Sequence, residues 1–280
     1  ESTKLLLRHI MELCRGNTQL EQQVLQVNPL LEAFGNAQTL MNDNSSRFGK
    51  YIQLRFQNGA VKGAKINEYL LEKSRVVHQD TGERNFHIFY YMFAGLSKKD
   101  KEMYGLLEPR LYRWVGVSIE DGLSRSLSTK FSELCNAMDM VGFLEQEQVD
   151  MLTILAGILS LGNVVFEPQD SGSMAITGQA NHWLNAAMSQ LGVDGEKLRQ
   201  CLLFSRSVTR GESIYRHYTR QQAEDARDSI VKATYARVFG WIVVKINQLL
   251  EPRTALGIAE TLPEIGILDI FGFEHFKVNR

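Results

Sequence analysis

The feature that most constrains this chain is a polar segment that runs directly into an alternating strand. Residues 42–47 carry two asparagines, one aspartate, two serines and one arginine. Residues 51–56 then alternate between polar and large apolar side chains, which predicts a β-strand with one buried face. Asn58-Gly59 favours a tight hairpin turn, and residues 61–69 are expected to form the return strand. The polar segment is therefore predicted to be a loop supported by a rigid hairpin.

We call residues 42–48 the first loop, and its side chains suit an anion with a hard cation beside it. Serine hydroxyls can ligate Mg²⁺, and the arginine guanidinium forms a fork onto phosphate or carboxylate oxygens. The same residue types are equally typical of a solvated turn, because Asn, Asp and Ser side chains bond their own backbone. Taken alone, the first loop leaves both interpretations open.

A second segment near the C-terminus favours the anion site. Residues 265–269 predict a buried strand that ends in Asp269, and the next residues, 270–274, include Gly272 and Glu274. We call residues 270–274 the second loop. An Asp at a strand end, followed by a glycine whose N–H can approach a phosphate, is typical of loops that sense a γ-phosphate.

The two loops together resemble switch I and switch II of the myosin motor family. Arg47 is followed by Phe-Gly-Lys, whereas kinesins carry Arg-Ser-His at this place, and the second loop has the myosin-like Phe-Glu pattern. Three further blocks that resemble the same family lie at residues 28–39, 69–76 and 86–92. The resemblance covers essentially the whole chain and is closest to class III myosins.

The resemblance implies an α/β fold of the P-loop NTPase type. A mostly helical upper domain would be built on part of a central mixed sheet. Residues 1–69 would hold a nucleotide-site helix, the first loop and the hairpin. Residues 70–260 would form the helical actin-contacting part, and residues 261–280 the second strand and loop. Glu1-Ser2-Thr3-Lys4 resembles the residues that follow the phosphate loop of myosins, and the chain has no GxxxxGK[ST] segment. We therefore expect a fragment that begins just after that loop.

ATP and Mg²⁺ are the cofactors that the resemblance implies. Ser46 would ligate the magnesium directly, and Asp269 would hold it through water. The residues implied to contact ATP are Asn42, Asn44, Ser45 and Lys50.

The resemblance also implies a catalytic set of Ser45, Arg47, Gly272 and Glu274. Ser45 would bond the γ-phosphate or the attacking water, and Gly272 would donate its N–H to the γ-phosphate. Arg47 and Glu274 would form a salt bridge that closes the site. A buried ion pair is costly to break, so hydrolysis would depend on closure of the loops.

An exposed hairpin is predicted over residues 207–218, and by position it resembles the surface with which myosins contact actin. The actin-contact candidates are Arg206, Arg210, Glu212 and Arg216. The arginines could steer the chain toward an acidic filament. An exposed hairpin without any partner is the alternative.

The family resemblance implies an actin filament as partner and a place in the cytoplasm, on the actin cytoskeleton. Light chains or calmodulin would bind only through regions absent from this sequence. The alternative function is a catalytically inert actin-binding or scaffold piece. Without a phosphate loop there is no nest of N–H groups for the β-phosphate, so we expect the isolated 280 residues not to turn over ATP.

Composition excludes several other classes. The net charge of −1 gives no pull toward nucleic acid or an anionic membrane, and no apolar run is long enough to span a bilayer. The three cysteines are widely spaced and form no CxxC pair, which favours reduced thiols. The histidines lack the spacing of a metal site and are expected to be structural or exposed. No serine lies in a GxSxG segment.

Periodicity and breakers give the remaining elements. Asp225, Arg227 and Asp228 are expected on the outer face of the last helix. A polar connector is expected at residues 98–104, a loop-dominated region at 113–130, a short strand at 164–166 and a loop at 168–178. Helices are predicted over residues 1–14, 20–27, 29–36, 86–94, 131–140, 145–161, 183–191, 196–204 and 221–250.

Overall fold

The structure is a computed structural model that describes residues 2–14, 18–116, 121–170, 172–209, 212–251 and 262–272. Its α-helices are α1 Ser2–Leu13, α2 Thr18–Gln26, α3 Asn28–Gly35, α4 His87–Gly95, α5 Lys98–Met103, α6 Asp121–Val141, α7 Glu145–Gly162, α8 Gly178–Leu191, α9 Gly195–Leu203 and α10 Arg220–Leu250. Its strands are β1 Asn36–Ala37, β2 Ser45–Ser46, β3 Gly49–Gln57, β4 Ala60–Tyr69, β5 Glu167–Pro168, β6 Met174–Ala175, β7 Phe204–Thr209, β8 Glu212–His217 and β9 Glu264–Asp269.

The largest described sheet has the strand order β4-β3-β9, and both of its pairings are antiparallel. The predicted hairpin is confirmed, because Asn58 and Gly59 both take positive φ angles, 52° and 74°, as a two-residue turn of this kind requires. The strand of the second segment, β9, joins the other side of β3. The first and second loops therefore leave the sheet from neighbouring strands.

The prediction that the second strand is buried was wrong. Of β9, only Ile267 is buried, while Ile265 and Leu268 are 45% and 59% exposed. Within the described residues β9 pairs with β3 alone, so it lies at a sheet edge. Its apolar composition is that of a strand covered on both faces, which is why the sequence pattern indicated burial.

Helix α10 organises the packing of the helical part and is the long helix that the sequence predicted. It begins with a capping box in which the Thr219 hydroxyl accepts from the Gln222 N–H and the Gln222 side chain accepts from the Thr219 N–H. Tyr235 lies fully buried at its middle, stacks on Phe86 at 4.9 Å and donates to the Phe34 carbonyl at 2.7 Å. This tyrosine ties α10 to α3 and α4, the helices that flank the first loop.

Arg227 is not on the outer face of α10, contrary to the sequence prediction. Its side chain is 2% exposed and donates to the Val164 carbonyl at 2.8 Å. The guanidinium also pairs with Asp228 at 2.7 Å and lies over the Trp114 ring. The same contact explains why the strand predicted at residues 164–166 is absent. The Val164 carbonyl accepts from an arginine and not from a neighbouring strand, Val165 is 46% exposed, and strand pairing begins only at β5.

Asn247 of α10 takes the place of a neighbouring strand at the outer edge of β4. Its side-chain oxygen accepts from the Ile66 N–H at 2.7 Å, and its side-chain amide donates to the Ile66 carbonyl at 2.8 Å. An unpaired strand edge leaves backbone groups without partners. Asn247 satisfies two of those groups and fixes α10 against the sheet.

Two segments that the sequence assigned to connectors are helical. Ser97 caps α5, because its hydroxyl accepts from the Asp100 N–H at 3.1 Å, and this Ser-x-x-Asp signal went unused. Residues 121–130 belong to α6. The hydroxyl of Thr129 in this stretch donates to the Arg125 carbonyl at 3.1 Å, so hydroxyl residues that favour loops are accommodated inside the helix.

The chain enters the first loop through a close contact between α3 and the residue after Arg47. Helix α3 starts at Asn28 and carries Pro29 in its first turn, where a missing N–H is tolerated. Gly35 is the last residue of α3, and Asn36 is the cap. A Cβ at Gly35 would overlap the Phe48 ring. Glycine is therefore needed here for close approach.

Candidate functional site

The first loop is closed at its start by a turn between Thr39 and Asn42. The Thr39 N–H donates to the Asn42 carbonyl at 2.8 Å, and the Asn42 N–H donates to the Thr39 hydroxyl at 3.2 Å. The Asn42 side-chain oxygen then accepts from the Asn44 N–H at 2.9 Å. These bonds are those of a self-bonded Asx turn, so part of the polar character of the loop serves its own backbone.

The side-chain amide of Asn44 is bonded to residues outside the first loop. Its oxygen accepts from the Asn36 amide at 3.1 Å and lies 3.0 Å from Nε2 of His87. Its nitrogen donates to Glu32 Oε2 at 3.3 Å. Asn44 was implied to contact ATP, and the structure places both ends of its amide against helices α3 and α4.

Ser45 and Ser46 form strand β2 and are half-buried. Their register opposite Ala37 and Asn36 of β1 fixes the backbone at this point. The Ser45 hydroxyl accepts from Nη1 of Arg47 at 3.1 Å, and the Ser46 hydroxyl donates to the Phe48 carbonyl at 3.1 Å. Ser46 can keep that donor bond and still offer its oxygen lone pairs to a cation.

Arg47 lies in a buried network of charges. Its Nε donates to Glu72 Oε2 at 2.6 Å, and its side chain is only 6% exposed. The same carboxylate oxygen accepts from Nε of Arg75 at 2.7 Å. Arg75 in turn pairs with Glu83 at 2.8 Å. The Glu72 carboxylate therefore orients two buried guanidinium groups, one of which belongs to the predicted site.

Lys50 and Asp269 connect the two loops. They lie directly opposite each other in the β3–β9 register, and Nζ of Lys50 is 3.2 Å from Oδ2 of Asp269. Lys50 lies two residues after the end of the first loop, and Asp269 directly precedes the second loop. Antiparallel pairing thus brings the beginning of β3 and the end of β9 to the same end of the sheet.

The second loop is described as far as Gly272. Ile270, Phe271 and Gly272 are exposed, and a Cβ at Gly272 would meet no atom within 4 Å. Glu274 lies outside the described residues, and with it the predicted salt bridge to Arg47.

His87 and Tyr91 form a stacked pair next to the first loop. Their ring centroids are 5.6 Å apart and the planes differ by 7°. Burial lowers the pKa of His87 from 6.5 to about 4, with Glu32 and Asp43 opposing the shift and Arg84 adding to it. Burial, together with Glu32 and Glu133, raises the pKa of Tyr91 to about 12. His87 is therefore a neutral imidazole at pH 7.

The predicted actin-contact hairpin is present as strands β7 and β8, and every described residue of β8 is exposed. Nε and Nη2 of Arg206 both lie close enough to donate to the Ser213 hydroxyl, at 3.2 and 3.0 Å. Glu212 and Arg216 are exposed on β8. Arg210 lies outside the described residues.

Two surface pockets lie away from these residues. One lies between α7 and α10 beside Trp241, and the other runs along α10 near Lys65. None of the predicted nucleotide-site residues lines either of them. Among the described residues no helix is long and apolar enough to cross a membrane, and no three His, Cys, Asp or Glu side chains gather as a metal site.

Sequence reasoning missed three residues that hold the first loop. Glu72 lies in one of the family-like blocks, but nothing local indicated that it pairs with an arginine 25 positions earlier. Glu32 and His87 also lie in such blocks, and both contact the Asn44 side chain. A signal was present for Glu72, since a carboxylate followed by Arg75 suits a helix-like turn with an i,i+3 pair.

Comparisons with known proteins place the geometry in a family. A model of the "Myosin head (motor domain)" family matches residues 1–280. The chain is 43% identical to mouse Myosin-IIIb over 289 aligned residues and 43% identical to human Myosin-IIIa over 295. It is 42% identical to mouse Unconventional myosin-VIIb. Each alignment covers 100% of this chain but only 22%, 18% and 13% of those relatives.

Proposed function

Because the chain belongs to the myosin head (motor domain) family, we propose that it forms part of an actin-based motor that hydrolyses ATP. In this proposal the first and second loops sense the γ-phosphate and Mg²⁺ and couple hydrolysis to actin affinity. Residues 1–69 and 261–280 supply the nucleotide site, and residues 70–260 supply the helical actin-contacting part. The motor works in the cytoplasm, on the actin cytoskeleton.

The observation that carries the proposal is the register of β3 with β9. It sets Lys50 opposite Asp269, with 3.2 Å between Nζ and Oδ2. The two predicted phosphate-sensing loops, which lie more than 200 residues apart in the sequence, leave the sheet side by side. A ligand bound between the two loops would contact both of them. A conformational change in one loop would therefore alter the ligand contacts of the other.

The donor set at the sheet end fits a magnesium nucleotide. Hydroxyl and carboxylate oxygens are the ligands that Mg²⁺ prefers, and Ser46 and Asp269 supply one of each. Asn42, Ser45, Lys50 and the Gly272 N–H offer donors to phosphate oxygens. The Asp269 carboxylate is held by an ion pair with Lys50 at the end of the sheet. When bound, Mg²⁺ would neutralise phosphate charge during transfer to water.

Arg47 is the residue through which closure would govern hydrolysis. Its guanidinium is buried and already oriented by Glu72 and Ser45. Glu274 would complete the contact from the second loop when the site closes. A planar guanidinium can serve two carboxylates at once, so Glu72 would position Arg47 and Glu274 would act as the latch.

Actin would be contacted through the β7–β8 hairpin. Every residue of β8 is exposed, and the exposed Arg206 and Arg216 lie on the two strands of the hairpin. Together with Arg210 these side chains would meet an acidic filament surface, where charge complementarity raises the association rate. Reversal of both described arginines to glutamate should weaken co-sedimentation with actin filaments and make it less salt-dependent.

The latch is tested by charge reversal in a complete motor head that carries this sequence. Arg47→Glu should nearly abolish ATP hydrolysis while nucleotide binding is kept. This change also sets a second carboxylate beside Glu72, so Glu274→Arg is the cleaner single variant. Restored turnover in the double variant Arg47→Glu with Glu274→Arg supports the latch. Unchanged hydrolysis in either single variant rules it out.

A further inference from the structure

Asn44 is held at both ends of its side-chain amide by residues that belong to the helices around the first loop. Glu32 lies in the middle of α3, Asn36 directly follows that helix, and His87 is the first residue of α4. The distances are 3.3 Å to Glu32 Oε2, 3.1 Å to the Asn36 amide and 3.0 Å to His87 Nε2. The first loop is thus fastened to two helices through one side chain.

The carboxylate of Glu32 fixes the direction of every bond in this cluster. An ionised carboxylate only accepts, so the NH₂ group of Asn44 must face Glu32. The amide oxygen of Asn44 then faces Asn36 and His87. Because that oxygen can only accept, the neutral His87 ring must carry its proton on Nε2.

The backbone of Asn44 is also held, directly before the two serines. The Asn44 N–H is bonded to the Asn42 side chain at 2.9 Å, and Ser45 and Ser46 follow at once as β2. A rotation of the Asn44 amide would break the contacts to Glu32, Asn36 and His87 and so detach the residue before Ser45 from both helices. The stacked Tyr91 ring keeps His87 from turning away, with 5.6 Å between centroids.

We propose that Asn44 is a positioning residue, gripped by Glu32, Asn36 and His87, that holds Ser45 and Ser46 toward the nucleotide instead of contacting the nucleotide itself. The inference rests on the proposed function and changes the role that the family resemblance implied for Asn44. It makes α3 and α4 part of the apparatus that shapes the first loop. Glu32 and His87 become determinants of hydrolysis without touching ATP.

The contacts of the Asn44 side chain with Glu32, Asn36 and His87 can be tested without nucleotide. Nitrogen-15 NMR of the histidines of the 280-residue chain should show His87 as a neutral ring protonated at Nε2. Asn44→Leu should shift the Nε2 resonance of His87, because the acceptor of its N–H is lost, while the exposed His78, which lies near Asp80, serves as the unaffected reference. A His87 ring protonated at Nδ1, or an Nε2 resonance unchanged by Asn44→Leu, would overturn the inference. This readout stands even if the chain has no role in ATP hydrolysis.

The positioning role is tested by kinetics in a complete motor head. Asn44→Asp removes the donor to Glu32 and sets two carboxylates against each other. We expect kcat to fall by about 10–100-fold, the range seen when outer-shell partners are lost, with little change in the affinity for MgATP. A direct ATP contact would instead lower the affinity, and that result would contradict the proposal.

A rescue by exchange separates positioning from general damage. In the double variant Glu32→Gln with Asn44→Asp, the new amide at position 32 can donate to the new carboxylate at position 44, whose other oxygen still accepts from Asn36 and His87. Recovery of most of the lost kcat supports the proposal, and no recovery in a folded double variant contradicts it. His78→Gln, at an exposed position outside this cluster, is the control and should leave kcat unchanged. If the unaltered head shows no ATPase activity, the proposed function fails first.

Discussion

The contact between Arg47 and Glu72 can be measured as a coupling energy, and its size follows from burial. The two arginines that share the carboxylate are 6% and 3% exposed in their side chains, whereas Glu72 is 28% exposed. Breaking a fully buried ion pair costs about 3–5 kcal/mol. Water reaches one side of Glu72, so we expect less, a coupling of about 2 kcal/mol between Arg47 and Glu72.

A double-mutant cycle isolates this pair from the other contacts of each residue. The free energy of unfolding would be measured by urea denaturation for the unaltered chain, Arg47→Met, Glu72→Gln and the double variant. Both substitutions remove a charge. Glu72→Gln keeps the side-chain shape, and Arg47→Met keeps the apolar stem of the arginine without its guanidinium. Because Glu72 also binds Arg75, Glu72→Gln should be the more destabilising single change.

The control cycle pairs Arg47 with Glu147, which forms its own salt bridge with Lys245 at 2.5 Å. Distant, independent sites add to within about 0.5 kcal/mol, and this pair should do so. A coupling between Arg47 and Glu72 below that limit would refute the claim that the carboxylate orients the arginine. The result does not depend on ATP or actin.

Three further predictions concern stability. Asn247→Leu should lower the free energy of unfolding by about 2 kcal/mol, because two backbone groups of Ile66 lose their partners. Gly35→Ala should cost about 1–3 kcal/mol, because the new methyl group meets the Phe48 ring. His87 should make the chain less stable in acid. Its pKa is lowered from 6.5 to about 4, so between these pH values the unfolded chain binds a proton that the folded chain does not. The free energy of unfolding is therefore highest above pH 6.5 and falls as the pH drops toward 4.

Each of these has a control and an outcome that contradicts it. Gln248→Leu, one residue beyond Asn247 on α10, should be nearly neutral. If the Asn247→Leu variant is as stable as that control, the backbone N–H and carbonyl of Ile66 must find other hydrogen-bond partners. Equal stability of Gly35→Ala and the unaltered chain would exclude the close contact with Phe48. If His87→Gln keeps the full acid dependence between pH 6.5 and 4, another group is responsible.

The sequence predicted those parts of the fold whose signals are local. The Asn58-Gly59 turn carries its own backbone preference, and residues 221–250 keep a helical period over many turns. The prediction of a loop at residues 121–130 was wrong because the local signal is ambiguous. Serine side chains bond the backbone in loops and in helices alike. Helix α6 packs against α4, and this tertiary contact is not encoded in a short stretch of sequence around residues 121–130.

Long-range pairing was beyond sequence reasoning except through the family resemblance. Arg227 looked like one more surface charge, and only the Val164 carbonyl and the Trp114 ring explain its burial. The partners of the first loop were missed in the same way. Glu72 and His87 are single side chains without periodicity or spacing, and their meaning arises only when β3, α4 and the turn after β4 come together.

The central claim is that the first and second loops lie side by side and respond together to a nucleotide. Spin labels at Asp43 and Phe271, both exposed, report this in a complete motor head after the exposed Cys201 is replaced by serine. Pulsed electron paramagnetic resonance should give a short distance between the two labels without ligand. With MgATP the distribution of that distance should become narrower and shift to shorter values. A long distance in the free protein, or a distribution that MgATP leaves unchanged, would contradict the account.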